Sequence, residues 1–242
     1  MNTEDLINLI SEDTRRPVNL SKALALATAA GALVAGLVFF SVLGVRPDFA
    51  QAIVTVRFAF KFIATLALFF VAASLMESLI RPGEGTTARR WLLLLAPALL
   101  IAAATIELVV TPAGLWESRL VGHNALHCLT VIPVLSLAPT VFLFLVMRHG
   151  APDHPGQAGA IAALASAGIA ATLYASNCPD DSPLFVATWY PIAILIVAVA
   201  GYFARPTLSK VVVATKQLQC QALSVRRKSM AFIMNNRLER GR

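Results

Sequence analysis

The stretch ALHCLTVIPVLSLAPTVFLFLVM, residues 125–147, runs for 23 residues without an Asp, Glu, Lys or Arg. A hydrocarbon layer about 30 Å thick is crossed by roughly 20 apolar residues of helix. A run of this length therefore has lipid or neighbouring spans as its solvent. Five other stretches share the pattern, at 23–44, 58–80, 91–110, 157–176 and 184–204, and 23–44, 157–176 and 184–204 also lack any charged side chain. The expectation is an all-α polytopic membrane protein with six transmembrane helices. With 57% hydrophobic and 14% charged residues the chain lacks the polar faces of a soluble domain of 242 residues. The alternating segments of about ten residues that build a transmembrane barrel are also missing.

Basic residues set the expected orientation. Six spans put both termini on one side, together with sixteen of the twenty Lys and Arg residues, whereas Arg46, Arg57, Lys61 and Arg119 fall on the other. Even without the basic tail the balance is seven to four, so the positive-inside rule makes both termini cytoplasmic. The chain then divides into a cytoplasmic N-terminal segment (1–22), a six-helix transmembrane domain (23–204) and a basic cytoplasmic tail (205–242). The tail accounts for the net charge of +7 and reads as a segment held near anionic lipid. It lacks the aromatic interleaving of a nucleic-acid module, so no direct nucleic-acid contact is expected. Ala50-Gln51-Ala52 has the form of a signal-peptidase site. The apolar run before it is too long, and its leader too acidic, for a secretory signal, so the first span is expected to be retained.

Four groups of residues bear chemistry. Cys128, one turn inside the outward end of the fourth span, and Cys178, just past the outward end of the fifth, lie at similar depth. They either form a pair on an oxidising face or pack separately as small hydrophobes. His123 and His127 stand beside Cys128 and with the two thiols make a weak candidate for a soft-metal site. Lys61 and Glu107 lie at matched depth in the second and third spans, and either neutralise one another or snorkel separately. In the N-terminal segment Leu6, Ile7 and Ile10 share one helical face, which fits docking to a cytoplasmic protein better than to anionic lipid, because the opposite side is acidic.

The run Asn177-Cys178-Pro179-Asp180-Asp181-Ser182-Pro183-Leu184-Phe185-Val186-Ala187-Thr188-Trp189-Tyr190 resembles the hallmark of the NrsF-like bacterial membrane regulators. Cys128-Leu129, Ile132-Pro133, Leu135-Ser136-Leu137, Arg148-His149-Gly150-Ala151-Pro152 and the opening Thr3-Glu4-Asp5-Leu6-Ile7 strengthen the resemblance, which covers about residues 3–205. It implies a non-enzymatic, six-span anti-sigma factor of the bacterial inner membrane, whose partners are the lipid bilayer and an extracytoplasmic-function sigma factor. It also implies that Cys128 and Cys178 sense metal or oxidative stress from outside. No cofactor is implied, and a heavy-metal ion would be a transient signal. The tail, with the odd Cys220, departs from the family pattern. Capping explains much of the hallmark, with Asp181 or Ser182 starting the sixth span and Pro183 in its first turn. The rival reading is a small-molecule membrane transporter, against which few buried charges and the lack of a visible inverted repeat speak.

Overall fold

The computed structural model describes residues 19–80, 91–148 and 154–204. The N-terminal face of Leu6, Ile7 and Ile10, the tail and Cys220 lie outside them. Every regular element among the described residues is helical: α1 (Leu20–Val42), α2 (Phe49–Ala52), α3 (Val56–Ile80), α4 (Leu95–Val110), a 3-10 turn (Ala113–Leu115), α5 (Trp116–Val121), α6 (Ala125–Met147), α7 (Pro155–Ala175) and α8 (Pro183–Phe203).

Five helices are long and apolar enough to cross a membrane; α4 is apolar but shorter, at 16 residues. The expected third span, 91–110, thus yields a shorter helix, and the reason is Pro97. Its ring nitrogen cannot donate to Leu93, so a helix entering at Trp91 has to restart. Leu94 N instead bonds Trp91 O at 3.1 Å, and the α-helical pattern resumes where Ala98 N meets Leu94 O at 2.9 Å.

Around α7 the bundle assembles. That helix is the most buried of the five, packing against α3, α8, α6 and α1. Its small residues make this possible. A Cβ added at Gly168 would lie 2.9 Å from Phe69 Cα in α3, and one at Gly159 would lie 2.5 Å from Gly201 O in α8. Backbones that approach this closely gain dispersion contacts where lipid removes the hydrophobic driving force. Between α1 and α6 the same device recurs, with Gly31 against Pro139. Helix α6 continues through Pro133 and Pro139, and Ser136 Oγ donates to Pro133 O at 2.7 Å.

Two larger cores and a small third cluster of Ala163, Ala167 and Val197 between α7 and α8 fill the bundle among the described residues. One of the larger cores gathers Leu24, Leu75, Met76, Leu143, Phe144 and Ala162; the other holds Phe39, Cys128, Ile132, Tyr174, Cys178, Phe185 and Tyr190. The outer faces stay apolar, as at Leu26, Leu33, Leu37, Phe70, Leu137 and Leu195. Such surfaces are stable against acyl chains.

Candidate functional site

The loop between α7 and α8 is the polar hub of the molecule, and it carries one of the two thiols. Cys178 begins it at the end of α7, where its N–H donates to Tyr174 O at 3.0 Å. Its carbonyl accepts from Lys61 Nζ at 2.9 Å and from Arg46 Nη1 at 3.4 Å. Asp181 then presents one carboxylate oxygen to Lys61 Nζ at 2.6 Å and the other to Arg46 Nη1 at 2.8 Å. A Lys with no solvent exposure requires this kind of compensation, since an unpaired ammonium inside the bundle is costly.

Arg46 links the hub to the segment after α1. Gly44, at φ +69°, turns the chain out of α1, a conformation that favours glycine. Its carbonyl accepts from Asn177 Nδ2 at 3.0 Å. Beyond it Arg46 forks onto both oxygens of Asp48, at 2.6 and 2.5 Å, and stacks 5.9 Å over the Phe58 ring. Its bond to Asp48, reinforced by Asp181, raises the guanidinium pKa further above its ordinary value, while the same bond lowers that of Asp48. Arg46, Lys61, Asp48 and Asp181 together form a charge-neutral quartet.

Asp180 faces the other way and fixes the start of α6. Its Oδ2 accepts from His123 N at 3.0 Å, Asn124 N at 2.9 Å and Asn124 Nδ2 at 3.0 Å. Trp189 Nε1 adds a 2.9 Å bond to Leu120 O. Gly122, at φ +58°, makes the approach possible, because a Cβ there would meet Phe185 at 2.5 Å.

Cys128 and Cys178 are free thiols, both fully buried in one core with Tyr174 and Tyr190. Burial raises the Cys178 pKa above the ordinary thiol value, with the Lys61 ammonium opposing it. The Tyr190 hydroxyl is buried in the same core with no hydrogen-bond partner among the described residues.

Other expectations are corrected. Lys61 pairs with Asp181, whereas Glu107 pairs with Arg57 at 3.1 Å and with Arg119. Matched depth did not make Lys61 and Glu107 partners, since the rotation of each helix turns them to different neighbours. His123 and His127 do not join the thiols. The His123 side chain is 93% exposed and 3.8 Å from Asp180, and His127 is exposed while the adjoining Cys128 faces the core. Successive helical residues point about 100° apart, and among the described residues no three His, Cys, Asp or Glu side chains are gathered to hold a metal. Ser182 occupies the N-cap position of α8 and Pro183 its first turn, but no cap hydrogen bond forms from the Ser182 side chain. Asp181 serves as a counter-ion. The sequence reading missed Arg46 and Asp181 as a site; the signal for Asp181 was the need of Lys61 for an acid at its own depth.

A family model described as "Negative regulator of sigma F", NrsF, matches residues 10–210. The chain is 32% identical over 208 residues to the anti-sigma-F factor NrsF of Caulobacter vibrioides, covering 84% of this chain and 97% of that protein. It is 29% identical over 205 residues to the probable anti-sigma-F factor NrsF of Azospira oryzae, covering 83% and 95% respectively. No solved structure matches. With its hallmark loop built into the polar hub and a family match running from the N-terminal segment past α8, the chain belongs to the NrsF family of negative regulators of sigma F.

Proposed function

We propose that this chain is a bacterial inner-membrane anti-sigma factor, with both termini cytoplasmic, that sequesters an extracytoplasmic-function sigma factor. The observation that carries the reading is the family match over residues 10–210, together with relatives named as anti-sigma-F factors that align over nearly their whole length. The N-terminal segment, with Leu6, Ile7 and Ile10 on one face, is the element we assign to sigma-factor contact, and the sixteen of twenty Lys and Arg residues that fall on the side of the two termini support placing it in the cytoplasm.

The stimulus acts on Cys128 and Cys178 in this reading. An oxidant removes two electrons and two protons from the pair and leaves a disulfide; a soft metal ion displaces both thiol protons and bridges the sulfurs. Either bond tightens the Cys178 loop, whose backbone holds Lys61 of α3 and whose acid holds Arg46. Turning a complex from 99% bound to 99% free needs a bias of about 5.5 kcal/mol, within the range that a disulfide or thiolate-metal bond supplies.

The test is co-purification of a sigma factor with the full chain from membranes, before and after oxidant or cadmium. Retention before and release after are expected. Cys128→Ser, Cys178→Ser and the double variant are expected to lose release equally, since one bridge needs both sulfurs. A sigma factor that never co-purifies refutes sequestration; release that persists in both single variants refutes the thiols as the sensor.

A further inference from the structure

Arg57 and Arg119 are brought together by a single carboxylate at the same end of the bundle as the hub. Glu107, in the last turn of α4, has a side chain only 6% exposed. Its two oxygens accept from Arg57 Nη2 at 3.2 and 3.1 Å, and one of them also accepts from Arg119 Nη1. One carboxylate against two guanidiniums leaves the cluster at a net charge of +1. The pairing engages one nitrogen of each arginine. Among the described residues, the other N–H groups of Arg57 and Arg119 have no protein acceptor, and the two side chains are 47% and 32% exposed.

The surroundings say what kind of anion reaches these donors. Val56 beside Arg57, and Ile106, Val109 and Val110 around Glu107, are all strongly exposed. Trp116 is also exposed, with its Nε1 tied to Thr111 O at 2.9 Å, as suits a ring at the headgroup level. An apolar ledge beside unsatisfied guanidinium donors has the two chemistries of a phospholipid, acyl chain and phosphate. Guanidiniums bind phosphate oxygens through their fixed fork. A zwitterionic headgroup would bring its own ammonium against two arginines, so the excess charge selects an anionic lipid.

We propose that Arg57 and Arg119, held by Glu107, form a seat for the phosphate of an anionic phospholipid in the leaflet at this end of the bundle, with an acyl chain along the exposed face of α4. The seat is independent of the sigma-factor reading.

Native mass spectrometry of the full chain, released from detergent with phosphatidylglycerol and phosphatidylcholine in equal amounts, tests it. The wild-type chain is expected to retain phosphatidylglycerol about tenfold more than phosphatidylcholine. The Arg57→Gln/Arg119→Gln variant is expected to lose that preference, and Arg148→Gln, at the opposite end of α6, to keep it. Should the double variant not fold, Arg57→Gln alone serves, because Arg119 still neutralises Glu107; partial loss is expected. Full preference in a folded Arg57→Gln or double variant overturns the seat. Equal loss in Arg148→Gln overturns it too, by showing diffuse attraction, and displacement of the lipid by excess inorganic phosphate shows a free-anion site instead.

Discussion

Lys61 Nζ sits 2.6 Å from Asp181 Oδ1 and donates to the carbonyl of Cys178 at 2.9 Å, so the most deeply buried cation among the described residues is tied directly to the loop that carries a thiol. Lys61 and Asp181 are 120 residues apart in sequence but face each other because α3 and α8 both flank α7 at this end. Any movement of the Cys178 backbone moves a ligand of Lys61, and α3 with it.

The neutrality of the hub makes its variants unequal. Asp181→Asn leaves Lys61 buried with only neutral acceptors, a loss of about 3–5 kcal/mol for a broken buried pair. Lys61→Met is expected to cost less, since Asp181 keeps Arg46 at 2.8 Å and the apolar side chain fills the site. Thermal unfolding of the purified variants in detergent checks the order. A Lys61→Met variant less stable than Asp181→Asn would contradict it.

Asp180 is expected to matter locally. In Asp180→Ala the amides of His123 and Asn124 lose their shared acceptor, at about 1–3 kcal/mol for groups left unsatisfied. Hydrogen exchange should accelerate at residues 122–126 and leave the middle of α7 protected. Uniform acceleration would mean that the contact supports the whole bundle.

For the thiols, burial decides both rate and pH dependence. Cys178 is fully buried and its pKa is raised, so the neutral thiol persists above the ordinary thiol range. Raised in the folded state, it contributes stability that is fully present below the unfolded thiol pKa and lost as pH rises through the folded value. With Cys128 and Cys220 changed to Ser, maleimide labelling of the folded chain at neutral pH should be on the order of a hundredfold slower than in denaturant. Rapid labelling of the folded chain would show that the core opens freely.

Glycine positions give a packing test with an internal control. Gly201→Ala sets its Cβ 2.4 Å from Ala163 Cβ and 2.7 Å from Gly159 O, whereas Gly36→Ala meets nothing within 4 Å. The first should lower stability by about 1–3 kcal/mol through overpacking; the second should be neutral or slightly stabilising through its better helix propensity. Comparable melting temperatures for the two variants would count against the α7–α8 contact.

Hydropathy determined much of this protein from the sequence alone, because whether a helix can sit in lipid depends on each residue's own transfer free energy, a sum along the chain. The run 125–147 became α6 to the residue, and 157–176 and 184–204 became α7 and α8 within a residue or two. The thiols could be ranked at one depth by counting turns. Pro97 was equally visible, but its effect depended on where the helix could restart, and α4 came out shorter than the apolar run. Only the tertiary structure decided which charges meet. Depth is read from position along a helix, but pairing depends on its rotation about its axis, which small-residue contacts such as Gly168 against Phe69 fix and one-dimensional spacing does not. Rotation turned Lys61 to Asp181, Glu107 to Arg57 and Arg119, and Cys128 inward while His127 faced out.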